Sequence, residues 1–209
     1  MEERMKGNQP RAVSLSDLAQ LTLRANVAFA VRCAQRIRPC FALPEDAPRR
    51  REQTGAIDRA IGAATAFCHG QPEEAGRTAA AVSEAAVVAE ETCEFTRFAG
   101  YAAVRAAEAA AYAEEIVRSP SHSGINDVVA AAFGAGRVLA GNADPHTLDM
   151  VVAALFADLE KLLSLAPGNS VDLGPALDPS ESGPLGSLWP DGKPSWCVEG
   201  VRQTLVEDE

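Results

Sequence analysis

The stretch from Glu73 to Ser119, EEAGRTAAAVSEAAVVAEETCEFTRFAGYAAVRAAEAAAYAEEIVRS, constrains the fold more than any other part of the chain. Alanine is the best helix former because its methyl group has no rotamer freedom to lose on ordering. Between Pro72 and Pro120 only Gly76 and Gly100 interrupt the run. The stretch therefore reads as the spine of a helical bundle, either two long helices or one bent helix. EETCEF and Gly100 are the two candidate break points.

The flanking patterns extend the helical reading. Ser14 or Ser16 can cap a first helix running to about Arg38, where Pro39 stops it. Leu15, Leu18, Leu21, Ala25, Ala28, Phe29, Cys33 and Ile37 form its apolar stripe, with Arg24, Arg32, Gln35, Arg36 and Arg38 assigned to its polar side. Pro44 and Pro48 mark residues 41–51 as a loop. A second helix spans about Thr54 to Cys68 with Gly70 as its C-terminal cap, and another about Ile125 to Leu139. Asp144-Pro145 is a helix-start signal, and Leu148, Val151, Val152, Leu155, Phe156, Leu159, Leu162 and Leu163 make the best amphipathic stripe in the chain, ended by Pro167-Gly168.

The fold class that follows is all-α: a helical bundle of five or six helices over residues 14–168. Residues 1–13 read as a disordered N-terminus. Residues 169–209 read as an extended C-terminal arm rich in Pro and Gly, holding both tryptophans, Trp189 and Trp196. Disordered linkers avoid aromatics. A proline-restrained segment with two indoles is suited instead to dock in extended form, on its own bundle first and on a partner second.

Composition narrows the function classes. Hydrophobic residues make up 47% of the 209 residues, enough for a real core, while aromatics are only 5%, so small contact residues must build it. No apolar run is long enough to span a bilayer, and the N-terminus has no secretory h-region, so the expected location is cytoplasmic. Five scattered cysteines, an odd number, do not make a disulfide framework. The net charge of −10 is uneven: residues 1–52 hold ten Arg/Lys against six Asp/Glu, and residues 53–209 nine against 23. An acidic body repels phosphates and disfavours nucleic acid.

No pattern reaches the threshold for catalysis. Cys33, Cys40, Cys68-His69 and Cys93 lack the close ligand pairs of a structural zinc site. His69, His122 and His146 sit near helix ends without a nucleophile elbow. Gly134-Ala-Gly136 lacks the strand and third glycine of a dinucleotide fingerprint and reads as close helix packing. The acidic clusters carry no Glu-x-x-His pair and read as a solvated face. The expectation is no enzyme, no cofactor and no metal.

Three features suit a protein partner. Tyr101, Arg105, Glu108 and Tyr112 lie at i, i+4, i+7 and i+11, a polar-aromatic stripe of which Tyr101, Arg105 and Tyr112 are the candidate contacts. Arg49, Arg50 and Arg51 form a basic patch, and Trp189 and Trp196 supply the arm's rings.

RANVAFAVRCAQRIRPCF (Arg24–Phe41), the Ala-rich middle and GPLGSLWPDGKPSW (Gly183–Trp196) together resemble uncharacterised alanine-rich helical proteins of GC-rich bacteria. That resemblance implies a small accessory or inhibitory component of a signalling or defence system, with its partner encoded nearby. The leading expectation is a non-catalytic protein-interaction or regulatory module of undetermined oligomeric state. The alternatives are an enzyme with a cryptic site in the bundle and an acidic mimic of nucleic acid.

Overall fold

The computed structural model describes residues 12–71, 77–92, 94–119, 122–141, 143, 147–194 and 196. Among them are seven α-helices and no strand: α1 Leu15–Leu18, α2 Leu23–Ile37, α3 Arg50–Cys68, α4 Arg77–Glu91, α5 Glu94–Arg118, α6 His122–Gly141 and α7 Leu148–Leu165. A short 3₁₀ turn, Arg38–Cys40, follows α2. The chain is a helical bundle, as its patterns require.

The expected first helix is two helices. Ser14 caps α1 through a capping box with Asp17, and Thr22 then opens α2 by accepting the Ala25 N–H. Asn26 holds the break in place: its side-chain amide donates to the carbonyls of Leu18, Leu21 and Thr22 at 3.0–3.2 Å. Leu18 and Leu21 are both fully buried on the inner side of the break.

The alanine-rich spine is also two helices, and Gly100 is not the break. The chain turns just after Glu91, and α4 and α5 run antiparallel, with the Thr78 hydroxyl donating to Glu114 at 2.8 Å. Gly100 lies inside α5 where the pair touches. A Cβ there would come 2.8 Å from the Ala89 Cβ and 3.0 Å from its Cα, so glycine is what lets the helices approach this closely. Ala102, Ala103, Ala106, Ala107, Ala109, Ala110 and Ala113 are buried along α5, which packs against α2, α3, α4 and α6. Small contact residues shorten interaxial distances, and this one helix can therefore serve four neighbours.

α2 is equally central: 13 of its 15 residues are buried. α3 returns along it and ends in a Schellman cap, with Gly70 in the left-handed region at φ 72° and the Gln71 N–H reaching the Ala66 carbonyl. α3 begins at Arg50, one turn earlier than its apolar periodicity indicates. α7 also runs antiparallel to α2, from the Ala154 carbonyl beside Arg36 to the bridge between Leu21 and Pro167.

From Asn169 the chain lies along the bundle, parallel to α2. Its first residues meet the open ends of helices. The N–H groups of Leu23 and Arg24 donate to the carbonyls of Asp172 and Leu173, and the Leu177 N–H donates to the Cys68 carbonyl at the end of α3. These are groups that a helix leaves without intrahelical partners. Leu177, Leu185, Trp189 and Trp196 are buried in the process. Residues 1–11 and 197–209 lie outside the described residues.

Candidate functional site

The most heavily charged place inside the protein is where α2, α7 and the arm meet. Arg32 and Arg36 are one turn apart on α2 and share a face. The sequence assigns them to a solvated side, and the structure corrects this: both are buried, at 0% and 1% exposure. Asp158 of α7, itself 2% exposed, stands between them. Its Oδ1 accepts from Arg32 Nε at 2.8 Å and its Oδ2 from Arg36 Nη1 at 2.6 Å.

One carboxylate cannot neutralise two guanidinium groups, and the arm supplies the rest as carbonyl dipoles. Arg32 donates to the carbonyls of Pro179, Gly186 and Ser187 at 3.2, 3.0 and 2.8 Å. Arg36 donates to Leu188 at 2.7 Å and to Ala154 of α7 at 3.4 Å. Every nitrogen of both guanidiniums is thereby engaged, as burial of such a group demands. The Arg36 guanidinium also sits 5.6 Å from the centre of the Trp189 ring, and Trp189 meets Trp196 edge to face at 5.6 Å and 85°. Lys161 and Arg24 add bonds to the Leu185 and Gly174 carbonyls. These contacts read the arm's backbone, while the rings and prolines set its path.

This geometry decides what the sequence-derived contact residues are doing. Trp189 and Trp196, 4% and 9% exposed, are spent on the chain's own bundle and are not presented to a partner. The Tyr101–Tyr112 stripe is divided. Tyr101 is exposed, but Arg105 bonds Glu108 at 2.7 Å and lays its stem against Gly134 of α6. Tyr112 is half-buried, and burial followed by the Glu108 charge pushes its hydroxyl above the usual phenol range. The basic patch is divided too. Arg49 is held by a two-pronged pair with Glu52 at 2.9 and 3.0 Å and reaches Glu91 at 3.4 Å. The side chains of Arg50 and Arg51 make no hydrogen bond or ion pair to any described residue and line an open concavity of about 700 Å³ with Arg38, Phe41, Leu43 and Asp58. Arg38 is taken up by Asp58 at 2.6 and 3.0 Å, which leaves Arg50 and Arg51 as the groove's free cations.

The remaining candidates are accounted for locally. His69 lies 3.4 Å from Asp178 of the arm, whose carboxyl is held below its ordinary range mainly by the Ser180 N–H. Cys93, His146 and the side chain of His122 lie outside the described residues. Among the described residues no cluster of three or more His, Cys, Asp or Glu could hold a metal ion, and no helix is long and apolar enough to cross a membrane. No family model, no curated protein and no solved structure matches this chain.

Cys33, Cys40 and Cys68 are free, buried thiols. Burial pushes Cys33 up to about 12 and Cys68 up as well. Below pH 9 both folded and unfolded chains carry these thiols neutral. As pH rises above 9 the unfolded chain ionises and the folded one does not, so folded-state stability declines toward pH 12. Iodoacetamide at pH 8 is expected to leave these three thiols unmodified in the native protein and to alkylate them in denaturant. Peptide mass mapping checks this; native alkylation of Cys33 or Cys68 at the denatured rate would contradict their burial.

Proposed function

We propose that this protein is a non-catalytic accessory or regulatory component, of the signalling or defence type, that binds an acidic segment of another protein encoded beside it. The observation that supports this reading is the groove lined by Arg50 and Arg51. Two exposed guanidiniums without partners among the described residues flank apolar Phe41 and Leu43 on a chain whose net charge is −10. Free arginine side chains beside a partly apolar floor select acidic, partly apolar peptide. Nucleic acid fits it less well, because the acidic remainder of the molecule repels a polyanion.

The test is affinity capture at native expression level, comparing the natural chain with Arg50→Glu/Arg51→Glu. The double variant is expected to lose the captured protein while its unfolding free energy stays within about 0.5 kcal/mol, as exposed substitutions usually do. Capture of the same partner by both forms would move the interaction away from this groove. Failure of the natural chain to retain any protein would overturn the reading.

A further inference from the structure

A second cavity, of about 200 Å³, shares no lining residue with the groove and lies among α2, α6 and α7. Phe29, Phe133, Val152 and Leu155 give it apolar walls, and Ala12 and Val13 pass against it from the N-terminal segment. Two neighbouring residues of α6 set its character. Gly136 sits inside a helix, where glycine is the poorest former after proline. It does not occupy the left-handed region. A Cβ there would lie 3.4 and 3.6 Å from the Phe29 ring, which is ordinary contact, so packing does not demand glycine as it does at Gly100. What the missing side chain supplies at Gly136 is room in the cavity. Arg137, the next residue, also lines the cavity, is exposed, and its side chain makes no hydrogen bond or ion pair with any described residue.

We propose that this cavity binds a small monocarboxylic acid with an apolar body, the body among Phe29, Phe133 and Leu155 and the carboxylate on Arg137. The volume corresponds to roughly seven waters at ~30 Å³ each. A single ring or a short branched chain fits that space. An apolar-walled site offers water few hydrogen-bond partners, so an apolar group takes the space preferentially. A guanidinium meets a carboxylate through two parallel N–H···O bonds, which fixes orientation as well as charge.

The test uses the full chain with phenylacetate and its neutral counterpart phenylacetamide, followed by amide chemical shifts. Phenylacetate is expected to bind saturably, with shifts concentrated in residues 133–140 and 152–155. Arg137→Gln is expected to weaken phenylacetate about tenfold or more and to leave phenylacetamide unchanged, the signature of one lost charge-assisted pair. Gly136→Leu fills the cavity and is expected to abolish both. Val152→Phe fills it from α7 and serves as the second filling variant should Gly136→Leu not fold. Absence of saturable shifts at about 10 mM ligand, undiminished phenylacetate binding by a folded filling variant, or equal weakening of both probes by Arg137→Gln would each overturn the assignment.

Discussion

Replacing Asp158 with alanine is expected to lower the unfolding free energy by about 3–5 kcal/mol, the usual cost of leaving a buried charge uncompensated. Here the cost falls on two charges at once. Arg32 and Arg36 are fully inside, and Asp158 is the anion that both of them touch. Carbonyl dipoles of the arm remain in the variant, and they soften the field without neutralising it. Arg36→Met is expected to cost less, because it leaves a one-to-one pair of Arg32 and Asp158 and puts a flexible apolar chain where the stem lay. Urea unfolding followed by far-UV circular dichroism separates the two. A loss below ~1 kcal/mol for Asp158→Ala would mean that the arginines reach solvent and that the cluster is not a buried one.

The same cluster shows which part of the architecture a linear reading reaches. Helix ends were legible where a residue carries its own local reason: Ser14 as a cap, Gly70 in the left-handed region, Pro167 after α7. Periodicity also placed α7 and the two halves of the spine, because alanine and leucine stripes need no knowledge of the neighbour. The break between α1 and α2 was not legible, since Asn26 is a side chain inside the second helix that satisfies carbonyls of the segment before it.

Arg32 and Arg36 escaped for a related reason. Arginine is seldom fully buried unless paired, and a pattern read along one helix assigns it to water. The pairing residue lies 126 positions further on in the case of Arg32. A signal for it does exist. Asp158 follows Leu155 by three and precedes Leu162 by four, which puts an acid on the apolar stripe of α7. Arg32 and Arg36 likewise fall at i+3 and i+7 from Phe29, on a stripe otherwise apolar. An acid on one inner face and two bases on another are a stated demand for contact. The partition of the Arg49–Arg51 patch had no such signal. Only the fold sets Arg49 beside Glu91 and turns Arg50 and Arg51 into a groove with Phe41.

Trp189→Ala is expected to release the end of the arm and to cost about 3–5 kcal/mol, the range for deleting a large buried aromatic. The ring is 4% exposed and closes the cradle from the arm side. Its loss removes the contact with the Arg36 guanidinium and the edge-to-face contact with Trp196 together. Those two interactions reinforce each other: without Trp189 nothing else in the described arm stacks on Trp196, and Arg36 keeps its Leu188 acceptor only while the arm stays down. The chain has two tryptophans, so Trp196 becomes the sole indole and reports on the arm directly. Its emission is expected to shift to that of a solvated indole. Most helical ellipticity should persist, because α3, α4, α5 and α6 pack on one another without the arm. Proteolysis should then cut first within residues 183–194, a segment whose backbone the natural protein holds through Arg32 and Arg36. Wild-type emission from Trp196 combined with a loss below ~1 kcal/mol would show that the carbonyl bonds alone hold the arm and that the ring is dispensable.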